Sequence, residues 1–205
     1  HDDAGSLFVR AAEITPDTEE RAELLLRAAE SWDLAADTAR ARATFERASE
    51  VGNARQRLRA AIGYEDASWR PGLPGFRARD MLTAALAAVP PDDDDPLCIE
   101  ALGSLARAMA FTGAVDEAEQ IAARAVELAR ARGDPHLLAA TLRTSVTLTL
   151  RPRGVAGRLH RATELVGLTN TRVNDWLGAA SMYRAAYSYL VGDRVGLDES
   201  ERHLD

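Results

Sequence analysis

Apolar positions recur along this chain at helical spacing. In the stretch Gly113 to Arg132, Ala118, Ile121, Ala122, Ala125 and Leu128 fall at i, i+3, i+4, i+7 and i+10, which gathers them on one face of a helix. Asp116 and Glu117 in its first turn and Arg130 and Arg132 in its last suit the helix dipole at both ends, and Gly113 closes the helix before it. The apolar face is built of small residues, so a neighbouring helix can approach closely. Other segments repeat the design. A short helix over 6–14 is expected to cover the end of a stack, and Thr15, with Pro16 at the first helical position, to open the next helix. That helix carries Leu25, Ala28, Ala29 and Trp32 on one face; after a tight link at Ala36-Asp37, Ala41, Phe45 and Ala48 form the opposing one.

Continued along the chain, the pattern predicts five helical hairpins, at about 16–51, 54–90, 96–132, 135–167 and 172–205. The Arg70–Gly75 stretch, with two prolines and two glycines, breaks the second hairpin at its link, and Trp69 is expected to pin that loop to the stack. Asp92 to Asp95 reads as a solvated acidic linker capping the next helix. The fourth hairpin should run its first helix to Leu150 and turn at Arg151-Pro152-Arg153-Gly154, and Val173 to Leu190 is apolar nearly all round. The last small position of each hairpin falls at Ala48, Ala85, Ala125, Ala162 and Leu204, intervals of 37, 40, 37 and 42 residues. Two-helix units of this size cannot bury their apolar faces alone, so they must stack. The expected fold is an all-α, right-handed α-solenoid.

Composition narrows the chemistry. Of the 205 residues, 46% are hydrophobic but only 5% aromatic, so alanine and leucine do most of the packing, which favours close helix contacts over a sheet. The net charge of −7, with both signs interspersed, argues against direct nucleic-acid contact. All 25 basic residues are arginine, which excludes a Walker A lysine and a lysine Schiff base within this chain. One cysteine, Cys98, excludes an internal disulfide and reads as a small buried apolar group. His136, His160 and His203 lack any metal-ligand spacing. Glu65 and Asp66, being adjacent on a helix, point to different faces, so no catalytic pair stands out. The expectation is a non-enzyme with no cofactor and no metal. No apolar run approaches the roughly 18 residues of a membrane span, and no signal pattern opens the chain, so a cytoplasmic location is expected. The abrupt ends suggest a segment of something longer.

The hairpins resemble the tetratricopeptide repeat. Leu25, Ala28, Ala29, Trp32, Asp37, Ala41, Phe45 and Ala48 match its pattern in the first unit, and Leu102, Leu105, Ala106, Met109, Gly113, Ala118, Ala122 and Ala125 in the third. The second keeps Ala78, Leu82, Ala85 and Pro90; the fifth departs from it at Arg184, Ser188 and Glu201. More specifically, AAIGYEDASWRPGLPG (Ala60 to Gly75) followed by ARDMLTAALAAV looks like the repeat region of large actinobacterial LuxR-type, MalT-like transcriptional regulators. That resemblance implies a nucleotide-binding module before the repeats and a helix-turn-helix after them. It also implies a protein or peptide partner, or a small-molecule inducer, in the concave groove lined by the first helices. By repeat register the groove residues are Glu23, Glu30, Asp33, Arg107, Phe111, Thr144, Met182 and Tyr189, with Leu26, Ala110, Thr147, Leu148 and Ala186 beside them. An apolar solenoid end would favour a homodimer. The alternative is a free-standing repeat scaffold or adaptor.

Overall fold

The computed structural model describes residues 2–90, 94–148, 154–172 and 177–201. Eleven helices account for nearly all of the described residues, and no strand occurs among them. They are α1 (Asp2–Ile14), α2 (Thr18–Leu34), α3 (Thr38–Val51), α4 (Ala54–Trp69), α5 (Phe76–Ala88), α6 (Pro96–Ala110), α7 (Val115–Arg132), α8 (Pro135–Val146), α9 (Val155–Arg172), α10 (Leu177–Val191) and α11 (Arg194–Glu201). Each helix from α2 onward packs on its successor, and the first helices of consecutive hairpins also pack together, α2 on α4, α4 on α6 and α6 on α8. The result is an all-α solenoid.

The starts of α2, α3, α4, α6 and α8 are set by short polar side chains that accept from the otherwise unpaired first amides. Asp17 accepts from the Glu20 amide at 2.8 Å, Asp37 from Arg40 at 3.0 Å, Asp95 from Leu97 at 3.0 Å and Asp134 from His136 at 2.9 Å. Asn53 and Gln56 form a reciprocal capping box at the start of α4. Pro96 and Pro135 occupy the first turns of α6 and α8, where their missing N–H costs nothing.

Several ends differ from the expectation. The N-terminal helix begins at Asp2, four residues before Ser6. Asp17, not Thr15, caps α2; Thr15 turns back to donate to the Ala11 carbonyl at 2.8 Å, and Pro16 lies outside the helix. The α8 helix stops at Val146, and Leu150, Arg151 to Arg153, Val173 to Trp176, His203 and Leu204 lie outside the described residues.

The core is a string of small clusters rather than one centre. The first joins Ala12, Leu25, Ala28, Ala29, Trp32, Ala41, Phe45, Ala48 and Ala60 across α1 to α4. The next runs from α4 to α6 through Leu58, Ala61, Ala78, Leu82, Ala85 and Ala101. Further clusters link α6 to α10. Alanine faces let the helix backbones approach closely. Where even a methyl is too large, glycine stands: a Cβ on Gly63 would sit 2.3 Å from the Phe45 ring, and one on Gly75 would sit 2.1 Å from the Ala108 carbonyl oxygen. The Gly75 contact seats the Arg70–Gly75 loop against α6. The Trp69 indole turns to Asp66 and Arg107, and Trp69 holds the loop through its backbone, its carbonyl accepting from the Gly72 amide at 2.8 Å.

Candidate partner-binding groove

The inner faces of α2, α4, α6 and α8 enclose a cavity of about 480 Å³. The residues come one helical turn apart on each wall: Glu30, Asp33 and Leu34 from α2, Arg59, Ile62, Gly63 and Asp66 from α4, Leu97, Glu100 and Ser104 from α6, and Ala140, Arg143 and Thr144 from α8. Phe45 reaches the same space from α3, over the open face that Gly63 leaves it. Leu34, Phe45, Ile62, Leu97 and Ala140 give the cavity an apolar floor, beside four carboxylates and two arginines.

Those charges are wired from one repeat to the next. Arg59 donates to Glu23 at 2.7 Å and to Glu30 at 3.2 Å. Arg70 bridges Asp33 at 2.6 Å and Asp66 at 2.7 Å. Arg143 reaches the same Asp66 from α8 at 3.3 Å. Arg107 is 1% exposed and donates through Nε to Glu65 at 2.8 Å and through Nη2 to both Glu65 and Asp66, while its guanidinium lies 4.6 Å from the Trp69 ring centre. Burial alone would raise the Asp66 carboxyl, but Arg107, Arg143 and Arg70 override it and hold it well below the usual carboxylate range. Glu65 is driven the other way, because burial outweighs the pull of Arg107. Burial also pushes Glu100 up, with Arg143 drawing it down and Asp66 adding to the rise.

Of the residues expected in the groove, Glu30, Asp33 and Thr144 line the cavity. Glu23 stands at the edge, held by Arg59. Arg107 is sealed beneath the cavity in the ion cluster and is not presented to it. Phe111 caps α6 and is 39% exposed, and Met182 and Tyr189 are exposed on α10, away from the lining. Leu26 and Leu148 are core residues. Glu65 and Asp66, although adjacent, converge on one arginine, because side chains about 100° apart on a helix can straddle a guanidinium lying between them. Sequence reasoning missed Arg59, Asp66, Glu100, Ser104 and Arg143. The signal for part of this set was present: Glu23 and Arg59, Asp33 and Arg70, and Glu65 and Arg107 pair at separations of 36, 37 and 42, about one repeat.

Among the described residues, no group of three or more His, Cys, Asp or Glu is placed to hold a metal ion, and no helix is long and apolar enough to cross a membrane. Cys98 is buried in the first turn of α6.

No protein-family model and no curated protein matches the sequence. Solved structures do match. A protein of Podosopora anserina described as a kinesin light chain with nearly identical TPR-like repeats superimposes with a TM-score of 0.66 at 15% identity, covering 93% of this chain and 95% of that one. A single-substitution variant of the same protein gives 0.66 at 15% identity, covering 90% and 92%. The fold is a tetratricopeptide-like solenoid. In a tetratricopeptide-like stack, the cavity described above belongs to the face formed by the first helices of successive repeats.

Proposed function

We propose that this chain is the protein-interaction or ligand-sensing repeat region of a cytoplasmic, multidomain LuxR-type transcriptional regulator, and that its partner docks in the α2–α8 groove. One observation carries the reading: four first helices of a tetratricopeptide-like stack leave an amphipathic cavity that the chain's own side chains do not fill. The stretch on which the regulator resemblance rests, Ala60 to Gly75, supplies Ile62, Gly63 and Asp66 to that cavity and Glu65, Trp69 and Arg70 to the charges around it. Occupying the groove would bias the full protein between silent and active states by differential affinity for the two. The free-standing adaptor remains the competing reading.

The flanking gene sequence and a groove-blocking variant test the proposal together. A Walker A motif before this segment and a helix-turn-helix after it are expected. Ala140→Trp in the full-length protein should then shift reporter expression while the repeat region keeps its circular dichroism. Absence of both motifs would replace the regulator with the adaptor. A reporter unmoved by Ala140→Trp would remove the groove from the mechanism.

A further inference from the structure

The cavity holds more acceptors than its own arginines use. Arg59 is directed to Glu23 and Glu30, Arg143 to Asp66, and Arg70, beside the cavity, to Asp33 Oδ2 and Asp66. Three groups on the cavity wall remain unused among the described residues. Asp33 Oδ1 is buried without a hydrogen bond. Glu100 forms no hydrogen bond or ion pair, although the charge of Arg143 is close enough to act on it. Ser104 is 3% exposed, lines the cavity, and its hydroxyl makes no hydrogen bond, not even the backward one to the fourth preceding carbonyl that Ser31 and Ser68 make on α2 and α4. Glu100 and Ser104 are four residues apart and share one face of α6, while Asp33 stands on the other side of α4. Asp33 Oδ1, buried without a partner beside this cavity, is disfavoured there unless something arrives to satisfy it, and Glu100 and Ser104 offer further acceptors on the opposite wall.

We propose that this cavity receives an arginine side chain of a partner peptide, with Glu100 and Ser104 accepting on one wall, Asp33 accepting on the other, and Leu34, Phe45, Ile62 and Leu97 lying along its methylene stem. A guanidinium suits the arrangement because its five donors radiate in a plane and can serve acceptors on separate walls, whereas an ammonium is a compact point. The cavity's four carboxylates against two arginines, and the chain's net charge of −7, favour a cation over an anion. Burial has pushed the Glu100 carboxyl up, so an arriving cation removes a cost the free groove carries. The inference rests on the groove being the docking place.

The probe is a fluorescein-labelled peptide, Gly-Ser-Leu-Arg-Leu-Arg-Leu-Ser-Gly, compared with the same peptide carrying citrulline, the neutral isostere, at both arginines. Fluorescence anisotropy with this chain should show the arginine peptide binding at least about tenfold more tightly, and Glu100→Gln should remove about tenfold of that affinity. Ser104→Ala should remove a smaller factor, and Glu127→Gln, outside the groove, none. Lysine in place of arginine should bind more weakly. Equal binding of the citrulline peptide, or unchanged affinity in Glu100→Gln, overturns the inference, as does failure of the arginine peptide to bind at all. If both peptides bind equally and Ala140→Trp abolishes both, the cation site falls while the groove survives as the docking place.

Discussion

On the flank of α6 that meets α7, Ala106, Ala118 and Ala122 close together at 1% exposure or less. On the flank of the same helix that faces the groove stand Leu97, Glu100 and Ser104, with Arg107 sealed one turn further on. The seam is apolar, small and saturated: each methyl meets another, and nothing is left to bind. The groove wall is polar, and its saturation is uneven. Arg107 is matched through Nε and Nη2 to Glu65 and Asp66 and through its face to Trp69, with Nη1 left without a partner, whereas Glu100 and Ser104, on the same face, make no hydrogen bond among the described residues. The wall adds a fixed alignment between repeats through its ion pairs and keeps a few groups in reserve.

If that division of labour is right, the largest loss should come from unmatching the buried ion cluster. Arg107→Leu strands Glu65 at 2% exposure and takes one of three arginines from Asp66. Removing one partner of a buried pair costs about 3–5 kcal/mol, whereas replacing both with apolar groups is often close to neutral. Urea unfolding should therefore show Arg107→Leu destabilised by about that amount, with Glu65→Leu added to it recovering most of the loss. A double variant no better than the single would mean the cluster works through Trp69 packing rather than charge matching, and the contrast with the seam would fade.

A seam variant comes next in size. Ala122→Leu forces extra methylene groups into a site 1% exposed between α6 and the neighbouring helices, at a cost of about 1–3 kcal/mol. Ala131→Leu, on the exposed side of α7, should cost almost nothing. Equal losses at the two positions would show that the seam is loosely packed, and that alanine is there for helix propensity rather than for close approach.

How much of this was legible in the sequence follows the same division. The seam announces itself, because alanines at i, i+3, i+4 and i+7 are a local pattern that depends only on helical geometry; Ala41, Ala48, Ala118, Ala122 and Ala125 are all buried. Two helix starts were equally local: Asp95 and Asp134 cap α6 and α8, each with proline in the first turn. At the start of α2 the expected Thr15 cap gives way to Asp17, two positions on, through geometry that no spacing rule carries. The wall was hard to read because its partners lie one or two repeats apart. The Asp66–Arg143 contact spans 77 residues, and nothing local to Arg107 says that its guanidinium folds inward to Glu65 rather than out into the groove. Glu100 and Ser104 are distinguished by what they fail to bond, which has no signature in sequence.

The smallest expected effect is the most discriminating, because its sign is opposite to the others. Glu100 faces Asp66 and Arg59 from α4, Arg143 from α8, and Glu30 and Asp33 from α2, and burial outweighs the attraction of Arg143 so that its carboxyl is raised in the folded chain. A carboxyl raised on folding binds its proton more tightly in the native state than in the unfolded one. Stability then falls as pH climbs through the window between the unfolded value, about 4.3, and the higher folded one; above that window the ionised group is a constant cost. Glu100→Gln removes the charge and keeps the shape. It should raise the melting temperature by about 1–4 °C at neutral pH, and that gain should vanish below the ordinary glutamate range. The same substitution is expected to weaken the arginine peptide, so stability and binding would move in opposite directions at one residue. A neutral-pH melting temperature that falls instead would mean Glu100 is matched within the protein as Arg107 is, and the groove wall would then hold no reserve on α6 for a partner to use.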